Sequence, residues 1–247
     1  MTNTTYLITL PRNRESIEEV WLLQWMLKND IHKWIIAKET GNDGYKHWQI
    51  RLRSRYDWNK MKEEFGDKAH IEDGSDTWEY EKKEGNYVSS DDTAATLGTR
   101  FGTPRPHQRR IVETCMANND RQITCVIDGN GGTGKSWLCR WLYEQGYGCY
   151  VPPTISSVQG IIQFVASGYK GEPIIVIDIP RSSKWTNQLY VCIESIKDGL
   201  VYDARYRNTT RNIYGVNVLV MTNTKPKIDA LSRDRWILLD AYGEPLT

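Results

Sequence analysis

The feature that most constrains this chain is the run Gly129-Asn-Gly-Gly-Thr-Gly-Lys135-Ser136, which matches the pattern G-x-x-x-x-G-K-[ST]. Its glycines let backbone N–H groups turn inward around a phosphate, and a helix that begins where the run ends directs its positive N-terminus at the same anion. Lys135 would reach the β- and γ-phosphates of a nucleotide, and the hydroxyl of Ser136 would hold Mg²⁺. The preceding apolar run Ile123–Ile127 supplies the strand that this mechanism requires. The residues that would form the cradle are Gly129, Gly131, Gly132, Thr133, Gly134, Lys135 and Ser136.

A second apolar run, Ile174–Asp178, ends in a carboxylate. A strand that ends in Asp is usually only a strand that ends in a turn, so Asp178 alone is unspecific. Downstream of a phosphate-binding loop, the same carboxylate has the form of the partner that steadies Mg²⁺. The next residue is Ile179, where many ATPases place a second acid that orients the attacking water. Either another side chain has that role or hydrolysis is slow.

Residues 121–247 alternate apolar strands with helices, which is typical of an α/β domain with a parallel sheet. The runs Ile174–Ile177 and Val216–Val220 are apolar at consecutive positions, as expected of strands that are buried on both faces. We therefore predict an α/β P-loop domain over residues 121–247.

Residues 1–90 predict a separate α+β domain with an antiparallel sheet. A strand at Thr5–Leu10 precedes the capping box Ser16-Ile-Glu-Glu19, which opens a helix through Leu27. Strands at Trp34–Glu39 and Lys46–Arg53 form a hairpin through Gly41–Gly44.

Two further helices are predicted in this domain. One runs from Asp57 to Gly66, and its apolar face carries Trp58, Met61 and Phe65. The other is capped by Ser75 and ended by Gly85. The following segment, Val88–Pro106, is rich in Ser, Asp, Thr, Gly and Pro and is predicted to be an interdomain linker.

The strand Lys46–Leu52 carries a candidate metal site. Alternation along the strand puts His47, Gln49 and Arg51 on one face and the opposite residues in the core. Glu39, across the hairpin, would add an anionic ligand, and such a nitrogen and oxygen donor set suits Mn²⁺ or Mg²⁺ better than zinc. A His-x-Gln pattern on a strand is common, so on its own it does not establish a metal site. The core-facing residues are Trp48, Ile50 and Leu52.

The third predicted helix contains Tyr80 and Lys83, which are three residues apart and therefore neighbours on one helical face. On their own they fit a half-buried aromatic ring beside a solvated lysine. Beside a metal site, a tyrosine hydroxyl could attack a DNA phosphodiester and form a 5′-phosphotyrosine link. Lys83 would then ease the deprotonation of Tyr80 or neutralise phosphate charge.

Taken in order, these motifs resemble those of the replication initiator (Rep) proteins of eukaryotic circular single-stranded DNA viruses and their satellites. The run Asp178-Ile-Pro-Arg181 is more similar to the nanovirus and alphasatellite branch than to the circovirus branch. The matching segments span nearly the whole chain: Tyr6–Leu10, His47–Gln49, Tyr80–Gly85, the phosphate loop, Val176–Asp178 and Val218–Asn223.

The resemblance implies an HUH-type endonuclease over residues 1–90, a linker and oligomerisation segment over 91–120, and a superfamily-three helicase over 121–247. Such a protein nicks and rejoins single-stranded origin DNA with a divalent metal and unwinds DNA with ATP, usually as a hexameric ring. The host nucleus and host replication proteins would be its setting and further partners.

The resemblance also implies roles for residues of the second domain. Asn223 would contact the γ-phosphate or its attacking water, and Arg233 or Arg235 would be the arginine finger presented to a neighbouring subunit. The segment Asp198–Tyr214, with Arg205, Arg207 and Arg211, falls where the family carries a loop that grips DNA.

Composition limits the partners. The net charge of +1 excludes a polybasic binder, so DNA contacts would come from local clusters such as Arg51, Arg53 and Arg55. Taken alone, such a cluster also fits ordinary solvated surface charge. The five cysteines form no CxxC pair and predict neither disulfides nor a zinc site. No apolar run is long enough for a membrane span, and the N-terminus lacks the layout of a signal peptide, which together predict an intracellular protein without a membrane partner.

Two other interpretations stay open at the level of sequence. The chain could be a P-loop NTPase whose N-terminal domain binds nucleic acid without cleaving it, with His47 and Tyr80 as structural residues. Metal-dependent cleavage of a labelled oligonucleotide separates that interpretation from the first. A copy that retains the fold but not turnover is suggested only by Ile179.

Overall fold

A computed structural model describes residues 3–13, 17–155, 157–203 and 209–246. The chain divides into two compact units, Met1–Phe101 and Gly102–Thr247. The first contains an antiparallel sheet and the second a parallel sheet, which agrees with the predicted succession of an α+β and an α/β unit.

The first unit is built around a five-stranded sheet in the order β4-β1-β3-β2-β5. Its apolar face packs against two helices and buries Trp48, Ile50 and Leu52, as the alternation along the strand predicts. The elements are β1 (Thr4–Pro11), α1 (Glu19–Lys28), β2 (Lys33–Thr40), β3 (Lys46–Ser54), α2 (Trp58–Phe65), β4 (His70–Asp73), a 3₁₀ turn (Tyr80–Lys82), β5 (Tyr87–Ser89) and α3 (Ala94–Arg100).

Several local predictions for this unit are corrected. Met61 and Phe65 on α2 are buried, but Trp58 is exposed, because it stands in the first turn of that helix. The helix predicted between Ser75 and Gly85 is reduced to the single 3₁₀ turn. Ser16, the predicted cap of α1, lies outside the described residues, and no side chain caps that helix at Glu18.

The predicted linker Val88–Pro106 contains regular structure. It includes the end of β5 and all of α3, and the division between the units falls after Phe101. Arg100 is buried and makes two hydrogen bonds of 2.7 Å to Asp92, with its guanidinium 3.6 Å from the ring centroid of Tyr87. This buried ion pair fastens α3 to the first sheet, and composition alone does not reveal it.

The second unit holds a five-stranded parallel sheet in the order β12-β6-β11-β8-β7. Strands β8 and β11 are buried on both faces, as their apolar runs predict. The elements are α4 (Pro106–Met116), β6 (Ile123–Ile127), α5 (Lys135–Glu144), β7 (Gly148–Val151), α6 (Val158–Gly168), β8 (Ile174–Asp178), α7 (Asn187–Asp198), β9 (Leu200–Asp203), β10 (Thr209–Asn212), β11 (Asn217–Thr222), 3₁₀ turns (Ile228–Ala230 and Arg233–Arg235) and β12 (Trp236–Asp240).

The sheet order places the predicted nucleotide-contacting residues of this unit at one edge of the sheet. Strand β6 leads into the phosphate loop, β8 ends at Asp178, and β11 lies between them and ends just before Asn223. Because parallel strands end at the same edge, the three predicted nucleotide-contacting segments meet there. Strand β12 lies on the other side of β6.

Candidate functional sites

The candidate metal site is organised by β3, which lies between β1 and β2. Register places His47 directly opposite Glu39 on β2 and Gln49 opposite Thr9 on β1. His47 Nε2 lies 3.6 Å from Glu39 Oε2, and the hydroxyl of Thr9 donates a 3.0 Å hydrogen bond to Gln49 Oε1. The hairpin predicted from the sequence therefore brings His47 and Glu39 together.

Both ring nitrogens of His47 lie beside oxygen atoms. Its Nδ1 lies 3.2 Å from the carbonyl oxygen of Tyr45, and its Nε2 is the nitrogen that faces Glu39. A proton on Nδ1, donated to that carbonyl, would leave Nε2 as the nitrogen that binds a cation.

Glu39 supplies the other observation that favours a cation. Its carboxylate is almost fully buried, and Oε1 has no hydrogen-bond partner among the residues that the structure describes. A buried carboxylate with one unsatisfied oxygen, whose other oxygen lies near an imidazole nitrogen, fits a divalent cation. Within the described ranges no cluster of three or more His, Cys, Asp and Glu residues is present, so the fit depends on the amide oxygen of Gln49 as third ligand.

Tyr80 and Lys83 lie beside this set. The Tyr80 ring is 57% exposed, and the Lys83 ammonium lies 3.9 Å from its centroid and 2.7 Å from Glu39 Oε2. Burial would lower the pKa of Lys83, but the pairing with Glu39 and the contact with Tyr80 outweigh it and raise that pKa above its usual value. Lys83 is therefore a cation that links Tyr80 to Glu39.

The turn that carries Tyr80 is anchored by the residue that follows it. Glu81 is buried, and its Oε1 accepts from Arg51 Nε at 2.9 Å and from Nη2 at 2.8 Å. Arg51 Nη1 also donates to the carbonyl of Ser75 at 2.6 Å. The proposed role of Arg51 in a surface cluster is therefore wrong, since its charge is neutralised inside the first unit.

The phosphate loop has the backbone that its sequence predicts. Gly131, Gly132 and Gly134 have φ values of 82°, 81° and 93°, a region that side-chain-bearing residues rarely adopt. Lys135 begins α5 directly after Gly134. The loop thus presents a helix N-terminus to its own concave side.

Asp128, which directly precedes the motif, is bound to the groups that a phosphate would use. Its carboxylate accepts from the Gly131 N–H and the Thr133 hydroxyl at 2.7 Å each, and from Lys135 Nζ at 2.8 Å. Burial opposes ionisation, but these three donors together lower the pKa of Asp128 to about 2. Asp128 thus stabilises the loop as an anion within the protein.

The other predicted nucleotide residues surround this loop. Burial raises the pKa of Asp178, against the effects of Lys135 and of a hydrogen bond from Tyr150. The Asn223 amide donates to the carbonyl of Asp128 at 2.6 Å. From the segment after β8, Arg181 Nη2 donates to the carbonyl of Gly129 at 3.1 Å and adds a cation beside the loop.

The two candidate finger arginines have different surroundings. Arg235 is buried and lies 3.3 Å from Glu194 and 3.0 Å from Asp198, both on α7. The side chain of Arg233 is exposed and lies 3.2 Å from Asp229. Of the two side chains, that of Arg233 is the accessible one.

The candidate DNA loop is described only in part. Arg205 and Arg207 lie outside the described residues. Arg211 donates to the carbonyl of Ala166 at 3.3 Å and lies 5.2 Å from the ring centroid of Tyr169. Its guanidinium is thus partly engaged by α6 and the residue after it.

Four residues near these sites were assigned no role from the sequence: Asp128, Glu81, Tyr150 and Arg181. Asp128 directly precedes the phosphate motif and Arg181 ends the run that begins at Asp178, so their positions along the chain were a usable signal. Tyr150 stands on β7, a strand that the sequence did not predict, and Glu81 lies in the segment that was predicted to be a helix. For these two, only the tertiary contact indicates a role.

Comparison with known proteins finds relatives of one kind. The chain is 31% identical over 126 residues to the master replication protein of banana bunchy top virus, across 50% of this chain and 41% of that protein. It is 28% identical over 132 residues to the master replication protein of subterranean clover stunt virus, across 53% and 43% of the two chains. It is 29% identical over 136 residues to Para-Rep C10 of Milk vetch dwarf C10 alphasatellite, across 53% and 46%.

The chain thus spans less than half the length of these curated relatives. No family model matches it. A glutamyl-tRNA reductase from Methanopyrus kandleri aligns over 89% of this chain and 71% of that one with 8% identity and a TM-score of 0.23, which is too low to carry an argument.

No helix in the described part of the chain is long and apolar enough to cross a bilayer. The similarity in sequence to replication proteins of two nanoviruses and an alphasatellite agrees with the motifs found along the chain. The resemblance to the Rep proteins of circular single-stranded DNA viruses and their satellites is therefore confirmed.

Proposed function

We propose that the chain is a rolling-circle replication initiator that nicks and rejoins single-stranded origin DNA and unwinds DNA with ATP. The first unit would be the HUH-type endonuclease and the second the superfamily-three helicase. The observation that carries this proposal is the contact series His47–Glu39–Lys83–Tyr80, which joins a candidate cation site to an exposed tyrosine.

Cleavage would use Tyr80 as the nucleophile. Its oxygen forms a bond to the scissile phosphorus, the hydroxyl proton leaves, and the bond from phosphorus to the 3′-oxygen breaks. The 5′-phosphate then stays on the protein, and the released 3′-oxygen takes up a proton. Rejoining is the reverse reaction.

Lys83 is placed to support this step because its ammonium lies against the Tyr80 ring. A cation there would offset the negative charge that develops on the attacking oxygen and on the phosphate during the transfer. Glu39, His47 and Gln49 would hold Mg²⁺ or Mn²⁺, which would polarise the scissile phosphate. Glu39 also keeps Lys83 charged, because its carboxylate is a buried counterion.

The second unit would bind and hydrolyse ATP. Lys135 and the loop N–H groups would bind the phosphates, Ser136 and Asp178 would hold Mg²⁺, and Asn223 would contact the γ-phosphate or its attacking water. Arg233 of an adjacent subunit would supply the charge that the transition state needs, which requires a ring, as the resemblance implies. With this role, the partners would be DNA and host replication proteins, and the protein would act in the host nucleus.

The endonuclease proposal is tested with a labelled single-stranded stem-loop oligonucleotide and Mn²⁺. Tyr80→Phe should abolish nicking and the covalent adduct while nucleotide hydrolysis persists. The matched control is Tyr45→Phe, because Tyr45 is also exposed and its ring stacks on His47 at 5.4 Å. His47→Ala should lose cleavage and weaken Mn²⁺ binding measured by calorimetry.

An adduct that survives in Tyr80→Phe and disappears in Tyr45→Phe would move the nucleophile to Tyr45. Unchanged Mn²⁺ affinity in His47→Ala would contradict the ligand assignment. If the wild-type protein binds the oligonucleotide but never cleaves it, the first unit is a binding module beside an NTPase.

A further inference from the structure

A cavity of about 270 Å³ adjoins the phosphate loop on the side of β12. One wall is formed by the loop, including Asp128, Gly129 and Thr133, and the other by Asp240–Tyr242 at the end of β12. None of the nucleotide roles assigned above uses this second wall. It belongs to the second unit alone.

The backbone of Tyr242 lies in a hydrogen-bonded turn at this cavity. Asp240 Oδ1 accepts from the backbone N–H of Tyr242 at 2.8 Å and of Glu244 at 2.9 Å, which closes a tight turn. Gly243 in that turn has a φ of 77°, and a Cβ there would lie 3.2 Å from the carbonyl of His107. The turn is therefore packed against α4, while the Tyr242 ring is 61% exposed.

A second ring connects this turn to the loop. The His107 ring contacts the Tyr242 ring edge to face, with centroids 5.7 Å apart. His107 Nε2 lies 3.1 Å from the carbonyl of Thr133, and Gln108 donates to the carbonyl of Gly134 at 3.0 Å. The start of α4 thus fixes the position of Tyr242 relative to the phosphate loop.

Sheet order gives the direction in which a nucleotide would extend. Asp178, the predicted Mg²⁺ partner, ends β8 on one side of β6, and β12 lies on the other side. If the terminal phosphate and Mg²⁺ lie toward Asp178, the sugar and base extend toward β12. The cavity wall that receives them carries an exposed aromatic ring.

We propose that Tyr242 forms a nucleobase subsite, on which the base of a nucleoside di- or triphosphate stacks while the loop binds the phosphates. This inference rests on the proposed nucleotide binding and extends it to a residue outside the motifs. Aromatic stacking favours any base and favours purines over pyrimidines because of their larger π-surface. His107 is a positioning residue that supports the ring from its edge.

The test compares ADP with pyrophosphate on the 247-residue chain by calorimetry in Mg²⁺, because the two ligands differ by the nucleoside and share the diphosphate. The wild-type protein should bind ADP about tenfold or more tightly than pyrophosphate, as expected for one stacked base. Tyr242→Ala should remove that difference and leave pyrophosphate affinity unchanged, whereas Tyr242→Phe should retain it. The matched control is Tyr143→Ala, which removes a 55% exposed tyrosine from α5.

Each outcome decides one claim. If Tyr242→Ala retains the preference for ADP, or if the wild-type protein shows none while pyrophosphate binding depends on Lys135, the subsite is refuted and the phosphate site stands. If neither ligand binds the wild-type protein, the proposed nucleotide binding fails as well. Thermal unfolding of each variant verifies that the fold is retained.

Discussion

The buried ion pair between Arg51 and Glu81 gives the sharpest prediction about stability. Both side chains are almost completely buried, at 5% and 0% exposure, and the two residues are far apart in sequence. Glu81→Gln keeps the shape of the side chain but leaves the guanidinium of Arg51 buried without a counterion. Breaking such a pair costs about 3–5 kcal/mol of unfolding free energy.

An exposed ion pair on the same strand serves as a control for the predicted loss of unfolding free energy. Arg53 forms an ion pair with Asp76, and both of those side chains are substantially exposed. Asp76→Asn should therefore have a much smaller effect than Glu81→Gln, because an exposed ion pair contributes little to stability. Replacing both buried partners, as Arg51→Met with Glu81→Leu, should restore most of the loss, because no uncompensated charge then remains.

Native-state hydrogen exchange measured in peptides from β3 reports the unfolding free energy of the first unit in the 247-residue chain. Glu81→Gln should lower that free energy by about 3 kcal/mol or more, Asp76→Asn should hardly change it, and the double variant should lie near the wild type. Equal losses in Glu81→Gln and Asp76→Asn would refute the assignment of the pair as a buried anchor. A double variant as unstable as the sum of its single changes would refute the argument from uncompensated charge.

Two further predictions concern the second unit. Asp128→Asn should reduce stability at pH 5, and its difference from the wild type should shrink as the pH falls from about 4 toward 2. A carboxyl group whose pKa is lowered in the folded protein stabilises the fold fully above its ordinary pKa and loses that contribution as the pH falls through the folded-state pKa of about 2. Thermal unfolding between pH 5 and pH 2 measures the difference between the two proteins, and a difference that stays constant with pH would contradict the prediction. Arg233→Ala subunits mixed with Lys135→Ala subunits should recover part of the ATPase activity that each lacks alone, whereas Arg235→Ala should chiefly destabilise the fold; no rescue in the Arg233→Ala mixture would mean that the finger does not act between subunits.

Much of the sites could be predicted because local pattern carries the information. The phosphate loop needs glycines at φ values that other residues avoid, and the glycines are visible in its sequence motif. His47 and Glu39 lie opposite each other because strand residues alternate between the two faces and a short hairpin joins the two strands. Both predictions depend on neighbours along the chain or across a single turn.

The predicted helix between Ser75 and Gly85 shows where local pattern fails. Its Glu and Lys residues have good helix propensity, yet the chain forms only one 3₁₀ turn there. The carbonyl of Ser75 accepts from Arg51, and Glu81 reaches the same guanidinium. We attribute the shortened helix to these contacts with β3, because a tertiary interaction of this strength exceeds a propensity difference of a few tenths of a kcal/mol per residue.

Three arginines show a further physical cause of error, which is the burial of charge. Hydropathy treats Arg51, Arg100 and Arg235 as surface residues, yet each is buried against a carboxylate. A charge enters a protein interior only with its counterion, so the decisive information is a pairing between two positions rather than a property of either. For Arg235 this pairing also bears on function, because an arginine that neutralises Glu194 and Asp198 within its own chain would have to break both contacts before it reached a neighbour's nucleotide. Arg233 carries no such cost beyond an exposed contact with Asp229, which is why the subunit-mixing experiment is aimed at Arg233.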